Sequence, residues 1–441
     1  MKKKFKIDPF RWLFYNSVKS ITKFSFRLFY SKQTKVNIQH LHDVDRPCIL
    51  VSNHPSTMMD PINVAKEING IVFFLANASM FKHWFANWFF TTFYCIKVER
   101  PADVNGRKIQ NTKTFELAND FLVRRNGVLY IAIEGGSKLE RRLRPNKTGA
   151  ARIAFAAENS KDFNLGLTVI PVGLTYSDPR HLQGEVIINV GDPIAIADYK
   201  SIWKNDNRQG VQKLTDDIES RLQSLLMHTD PTEEAVEVLS QQLETLDRNS
   251  KDLPFWETIQ LSLKRLPILK QLFHQNPKGF ATKQQQVQTY FEQLDQLKIT
   301  DKTVLQANTG LDYLKLVLGF PLFLYGYINN FLAIGIPGFI TKKMKLYPGY
   351  DPAVKTMSAL LTVPFFYYLQ SYLLAPYFPA PYWRWIYVAS LIPIGLVAWY
   401  YMGLAQTVAQ RRRFDQLEEK TKVALKEKRA NVYGALKKQP S

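Results

Sequence analysis

The chain has 441 residues, 46% of them hydrophobic and 22% charged, with a formal net charge of +20. Its two cysteines, Cys48 and Cys95, lie in apolar context, which excludes a disulfide framework and fits reduced core thiols. Such a charge balance first suggests nucleic-acid binding. However, the excess sits at the two ends, with nine Lys/Arg against one acid in residues 1–32 and ten against four in residues 411–441.

At the N-terminus those cations alternate with Phe10, Trp12, Leu13, Phe14, Tyr15, Phe24, Phe26, Phe29 and Tyr30. Basic and aromatic residues mixed in this way suit the interface of an anionic bilayer, so residues 1–35 are expected to be an interfacial anchor and the partners to be membrane lipids, with no nucleic acid. Lys19, Lys23 and Arg27 interrupt any long apolar core, which argues against a secretory signal. The apolar run Pro47–Val51 reads as a buried strand leading into Asn53, His54, Pro55 and, further on, Asp60 and Pro61. Positions six apart fall on opposite sides of an α-helix, at about 100° per residue. His54 and Asp60 can therefore meet only across a sharp turn, which the two prolines favour. The alternative is a strand-end loop carrying a solvated histidine. Phe73-Phe74-Leu75 and the run from Trp84 to Tyr94 form an aromatic surface that fits either core packing or a patch that lets lipid chains enter.

A second buried strand, Val128–Ile133, ends in Glu134-Gly135-Gly136-Ser137-Lys138 and is followed by Arg141, Arg142, Arg144 and Lys147. Glycines let backbone approach a ligand and cations suit a phosphate, although a turn beside a solvated basic surface has the same composition. A helical stretch over 147–159 and a third strand, Leu167–Leu174, complete a pattern that predicts an α/β sheet with its polar residues gathered at strand ends. The seven histidines are scattered, with no His-Glu-x-x-His, so no metal site is expected. Neither Ser56 nor Ser137 sits in a Gly-x-Ser-x-Gly elbow, and no Walker A or dinucleotide fingerprint is present.

Residues 205–309 are polar with apolar positions at helical spacing, as in Leu214–Leu226 and Ala235–Leu246, and are expected to form a helical appendage. Within residues 310–410, three uncharged runs (Leu316–Thr341, Thr356–Trp383 and Trp385–Gln410) each exceed the roughly 20 residues that span a bilayer. Lys342, Lys343, Lys345 and Lys355 follow the first run, and Arg411–Arg413 the third. By the positive-inside tendency both basic loops are cytoplasmic, so three full crossings would leave residues 1–310 outside. The first run, with Asn329-Asn330 at its centre and Pro321 and Pro337 around them, is therefore expected to enter and return as a hairpin. Residues 411–441 are expected to be a basic, solvated cytoplasmic tail.

In order and spacing, Asn53, His54, Asp60 and Pro61, then Arg100, then Glu134, Gly135 and Ser137, then Pro171 resemble the four motif blocks of the glycerolipid acyltransferases, the glycerol-3-phosphate and lysophosphatidic acid acyltransferases and their relatives. The resemblance covers roughly residues 40–200. Five residues separate His54 from Asp60 where most of the family has four, a spacing that resembles the fungal-type glycerol-3-phosphate branch. Ile133 stands where the family usually has Pro, and Lys138 where it has Arg.

The resemblance implies an α/β domain over 36–204, a mixed sheet flanked by helices, with a helical membrane domain following. His54 is the implied general base and Asp60 its orienting partner. Asn53, Arg100, Glu134, Gly135, Gly136, Ser137, Lys138, Lys147 and Pro171 are the implied substrate-binding residues. It implies no metal or other cofactor, with acyl-CoA or acyl-carrier protein as co-substrate, and acyl transfer to a hydroxyl of glycerol-3-phosphate in phospholipid synthesis. The alternative acceptor is 1-acylglycerol-3-phosphate, and the alternative of another class is an inactive membrane tether that binds lipid phosphate. The catalytic domain of such an integral membrane enzyme would face the cytoplasm.

Overall fold

Strand Cys48–Ser52 is buried along its whole length because it lies inside a sheet covered on both faces. The computed structural model describes residues 9–42, 44, 47–104, 106–125 and 127–437; residues 1–8 of the expected anchor and 438–441 of the expected tail lie outside the described residues. The chain forms two compact units. One runs to His228 and takes in Tyr347–Ala353; the other comprises Thr229–Leu346 and the chain from Val354 onward.

The first unit is built on eight strands: β1 (Tyr30–Val36), β2 (Cys48–Ser52), β3 (Val72–Asn77), β4 (Cys95–Val98), β5 (Val128–Ala132), β6 (Thr168–Tyr176), β7 (Gly184–Val190) and β8 (Ile194–Ala195). Their order is β1-β7-β6-β2-β5-β3-β4, with β8 on β6. β6 runs antiparallel to β7 and β8, and the other pairings are parallel, so the sheet is mixed as expected. Side chains alternate between the faces. Ile49, Val51, Leu129 and Ile131 join one core, while Cys48, Leu50, Val128 and Tyr130 join the other.

Helices α1 (Pro9–Phe29) and α2 (Met59–Ala65) contribute to the second of these cores through Phe26, Phe29, Met59 and Val64. Next in the chain are α3 (Trp84–Thr92), α4 (Thr112–Arg125), α5 (Gly149–Asn159) and α6 (Asn207–Leu225). The first core is covered by α4, α5 and α6 through Phe121, Phe155 and Leu222. Two boundaries differ from expectation. β1 begins inside the stretch expected to be anchor, and α6, expected in the appendage, packs Leu214, Ile218 and Leu222 onto the sheet. Along α1 the aromatic residues divide: Tyr15, Phe26 and Phe29 are buried, whereas Phe10, Trp12 and Phe24 face outward.

In the second unit, α7 (Glu234–Lys251), α8 (Phe255–Gln275) and α9 (Pro277–Gln296) bury Leu243, Leu246, Ile259, Leu269 and Tyr290. They are followed by α10 (Gly310–Met344), α11 (Asp351–Leu373), α12 (Tyr382–Asp415) and α13 (Glu419–Lys437). The tail is a docked helix, not the solvated one expected. Arg429 of α13 is buried with its Nε 2.7 Å from Asp301 Oδ1, and Leu425 and Val432 are buried as well.

Among the described residues two helices, α10 and α12, are long and apolar enough to cross a membrane. The middle run, expected as a third, is not; α11 stops at Leu373, ahead of the proline-rich turn around Ala375–Tyr377. The hairpin expected within the first run is also absent, because α10 continues through Pro321 and Pro337. Neighbouring helices satisfy its central amides. Asn330 donates to Leu391 O (3.1 Å) and accepts from the Tyr367 hydroxyl, and Asn329 accepts from the Tyr387 hydroxyl. Helix α12 lies antiparallel to α10, for Leu391 meets Asn330, the Tyr401 hydroxyl donates to Leu316 O (3.0 Å), and Arg411 pairs with Asp312 at 3.1 Å.

Candidate active site

Because β2, β5 and β6 run parallel in register, with Ser52 opposite both Ala132 and Val172, the turns that follow β2 and β5 emerge side by side. Polar residues collect at this carboxyl edge of the sheet. The His54 N–H donates to Glu134 Oε1 (3.2 Å), the Thr57 N–H to Ser137 Oγ (3.0 Å) and the Lys138 N–H to His54 O (3.3 Å), so the two turns form one structure.

The chain reverses between Pro55 and Met58, with Thr57 in the left-handed region at φ 45°, and α2 then begins with Asp60 in its first turn. This reversal places His54 Nδ1 2.9 Å from Asp60 Oδ2. The same oxygen accepts the Ser56 N–H (2.7 Å), and Oδ1 accepts the Tyr176 hydroxyl (2.6 Å). Asp60 is fully buried and held on both oxygens. An ionised carboxylate can only accept, so Nδ1 carries the proton and Nε2 is left as the basic nitrogen. His54 keeps 16% of its side chain exposed. Burial, and next the charge of Asp60, push the Tyr176 phenol well above its ordinary range, which keeps it a donor to Asp60.

Glu134 is buried. Burial raises its carboxyl above the ordinary value, and Arg144 opposes this with Nε at 2.8 Å and Nη2 at 2.7 Å from Oε2. Gly135 has φ +71°, which a side chain would strain. Two cations flank this glycine turn: Arg100 Nη1 lies 3.5 Å from Gly135 O, and a Cβ on Gly135 would sit 3.3 Å from Lys147 Cγ. Arg100 is also held by Asp103, with Nε to Oδ2 at 3.0 Å.

A cavity of about 220 Å³ opens from His54, Gly135 and Gly136. Its apolar walls include Met58, Ile62, Leu75, Phe89, Phe90 and Phe93. The aromatic run divides between two faces of one segment. Phe89, Phe90 and Phe93 line the cavity, whereas Trp84 (75% exposed), Phe85 and Trp88 face outward. Lys66 also lines the cavity; burial lowers its amine to about 7.

A family model described as Acyltransferase matches residues 32–175. Over that stretch the chain is similar to the acyltransferases. It is 25% identical over 190 residues to glycerol-3-phosphate O-acyltransferase 1 of Saccharomyces cerevisiae, an alignment covering 42% of this chain and 24% of that protein. The match thus spans about a quarter of the yeast relative's length. A solved structure, the 1-acyl-sn-glycerophosphate acyltransferase PlsC of Thermotoga maritima, is similar at 18% identity and a TM-score of 0.32, covering 46% of this chain and 80% of that one.

Within the first unit, His54, Asp60, Glu134, Gly135, Gly136, Ser137, Arg100 and Lys147 come together. Two residues expected at the substrate have places in the frame of the sheet. Asn53 Nδ2 donates to Leu174 O (2.9 Å) and its Oδ1 accepts the Leu174 N–H (2.8 Å), which occupies the side chain in joining β2 to β6. Pro171 is buried within β6, opposite Val51. Lys138 is exposed and lies nearest Glu140, at 3.8 Å; Arg144, further along, grips Glu134. Tyr176 was missed, and nothing local in the sequence marks it. In the sequence Arg144 is one of several neighbouring cations, with nothing to single it out.

Proposed function

We propose that the protein is a membrane-embedded O-acyltransferase that moves a fatty acyl group from an acyl-CoA or acyl-carrier-protein thioester to a hydroxyl of glycerol-3-phosphate. The observation that carries this reading is the His54–Asp60 pair at the end of an apolar cavity, beside a glycine turn flanked by Arg100 and Lys147. His54 Nε2 takes the acceptor's hydroxyl proton as its oxygen attacks the thioester carbonyl. The tetrahedral intermediate then collapses, the carbon–sulfur bond breaks, and the imidazolium returns the proton to the thiolate. Asp60 holds the ring and stabilises its positive charge. Arg100 and Lys147 receive the acceptor's phosphate, Gly135 and Gly136 let it approach the backbone, and the apolar walls take the chain, with about 0.8 kcal/mol for each buried methylene.

Glycerol-3-phosphate is favoured by the five-residue His–Asp spacing and by the name of the yeast relative. Purified protein in detergent, given labelled acyl-CoA and a panel of acceptors, should yield a product of the mass of 1-acylglycerol-3-phosphate. If neither glycerol-3-phosphate nor 1-acylglycerol-3-phosphate is acylated, the reading is wrong.

The membrane part is residues 310–410, and the acyltransferase domain faces the cytoplasm, where acyl thioesters are supplied. The antiparallel pairing of α10 with α12, which joins Asp312 to Arg411, supports residues 229–309 and the chain after 415 lying on one side. In sealed vesicles, tags at residues 250 and 441 should share the same protease sensitivity; opposite behaviour would overturn this topology.

A further inference from the structure

The segment Tyr347–Ala353, between α10 and α11, belongs to the first compact unit although it lies far outside residues 32–175. It is attached at three points. The Tyr347 hydroxyl accepts the Leu139 N–H (2.6 Å), Gly349 O accepts the Thr57 hydroxyl (3.0 Å), and Asp351 pairs with Arg180 at 3.0 Å. Two of these attachments rest on the turns that carry His54 and Glu134. The fit at the second is close: a Cβ on Gly349 would lie 3.3 Å from Thr57 Cγ2. Between the second and third attachments, Tyr350 forms part of the wall of the cavity that also reaches His54 and Thr57.

The geometry points to Tyr350 as a residue that selects the acceptor by size. We infer that this strap roofs the His54 end of the cavity, where acceptor and thioester must meet, and that the Tyr350 ring leaves room for a glycerol phosphate but crowds one that already bears an acyl chain. The inference rests on the acyl-transfer reading above. No covalent step is assigned to Tyr350; it acts by occupying space, and the three attachments hold it there.

The test compares kcat/KM for 1-acylglycerol-3-phosphate with that for glycerol-3-phosphate in the full-length protein. Tyr350→Ala should raise this ratio about tenfold, mainly through KM for the larger acceptor, whereas Tyr350→Phe, which keeps the ring, should hold the wild-type ratio. Asp351→Asn loosens the strap from Arg180 without touching the cavity wall. It should move the ratio in the same direction by about threefold, and it provides the readout should Tyr350→Ala fail to fold. Ratios unchanged in Asp351→Asn and in a folded Tyr350→Ala would overturn the inference while leaving the acyl-transfer reading intact. A wild-type protein inactive on both acceptors would overturn that reading, and this inference with it.

Discussion

His54→Ala should lower kcat for acyl transfer by about 10²–10⁴-fold, the range associated with removing a general base. The Asp60–His54 contact at 2.9 Å fixes the ring so that Nε2 is the free base, and alanine supplies no group to take the hydroxyl proton. The thioester is already activated, so a slow background reaction should remain in the folded variant. Folding should be little affected. The backbone bonds joining the two turns, from the His54 N–H to Glu134 and from the Lys138 N–H to His54 O, do not need the imidazole. KM for acyl-CoA should therefore change far less than kcat. Initial rates with labelled acyl-CoA, set beside the melting temperature of the same preparation, would test this. A variant retaining more than about a tenth of wild-type kcat would remove His54 from its role as base.

The sequence made His54 and Asp60 legible because their residue types carry the chemistry and the flanking prolines require a reversal between them. The strands β2, β5 and β6 were legible for a different reason. Each is buried on both faces of the sheet and reads as a continuous apolar run. β1, with the sequence Tyr-Ser-Lys-Gln-Thr-Lys-Val, is half exposed at the sheet's edge and offers no such run, and β3 was hidden within an aromatic cluster.

Long-range partners were not readable at all. Tyr176 meets Asp60 only because β6 pairs with β2, and Thr57 meets Gly349 across nearly 300 positions of chain. Asn53 has a partner that its motif position does not reveal. It stands beside His54, and its amide both donates to and accepts from the backbone of Leu174. In the second unit, Asn329 and Asn330 suggested a break in a membrane helix, since a polar pair in an apolar run is costly without partners. Tyr367, Tyr387 and the carbonyl of Leu391 provide them, and the helix continues.

Arg144→Gln should reduce the stability of the first unit by about 3 kcal/mol, because it leaves the buried Glu134 charge without its main compensation. That loss corresponds to a fall in melting temperature of about 6–12 °C for a unit of this size. Burial already holds the Glu134 carboxyl above its ordinary value of 4.5, with Arg144 as the largest opposing influence, so the substitution should drive it higher still. A carboxyl raised in the folded state favours folding below its unfolded value, near 4.5, and loses that contribution as pH rises through the folded value. The variant's deficit should accordingly be small near pH 4, grow once wild-type Glu134 begins to ionise, and reach full size only above the still higher value of the variant's own carboxyl. Melting temperatures of both proteins from pH 4 to 8 would show the curves converging on the acid side. Glu134→Gln added to Arg144→Gln should restore most of the loss near neutral pH, since the unpaired charge is then gone. A deficit of constant size across that range, or a double variant no better than the single one, would mean that Arg144 supports the turn by packing and not by charge.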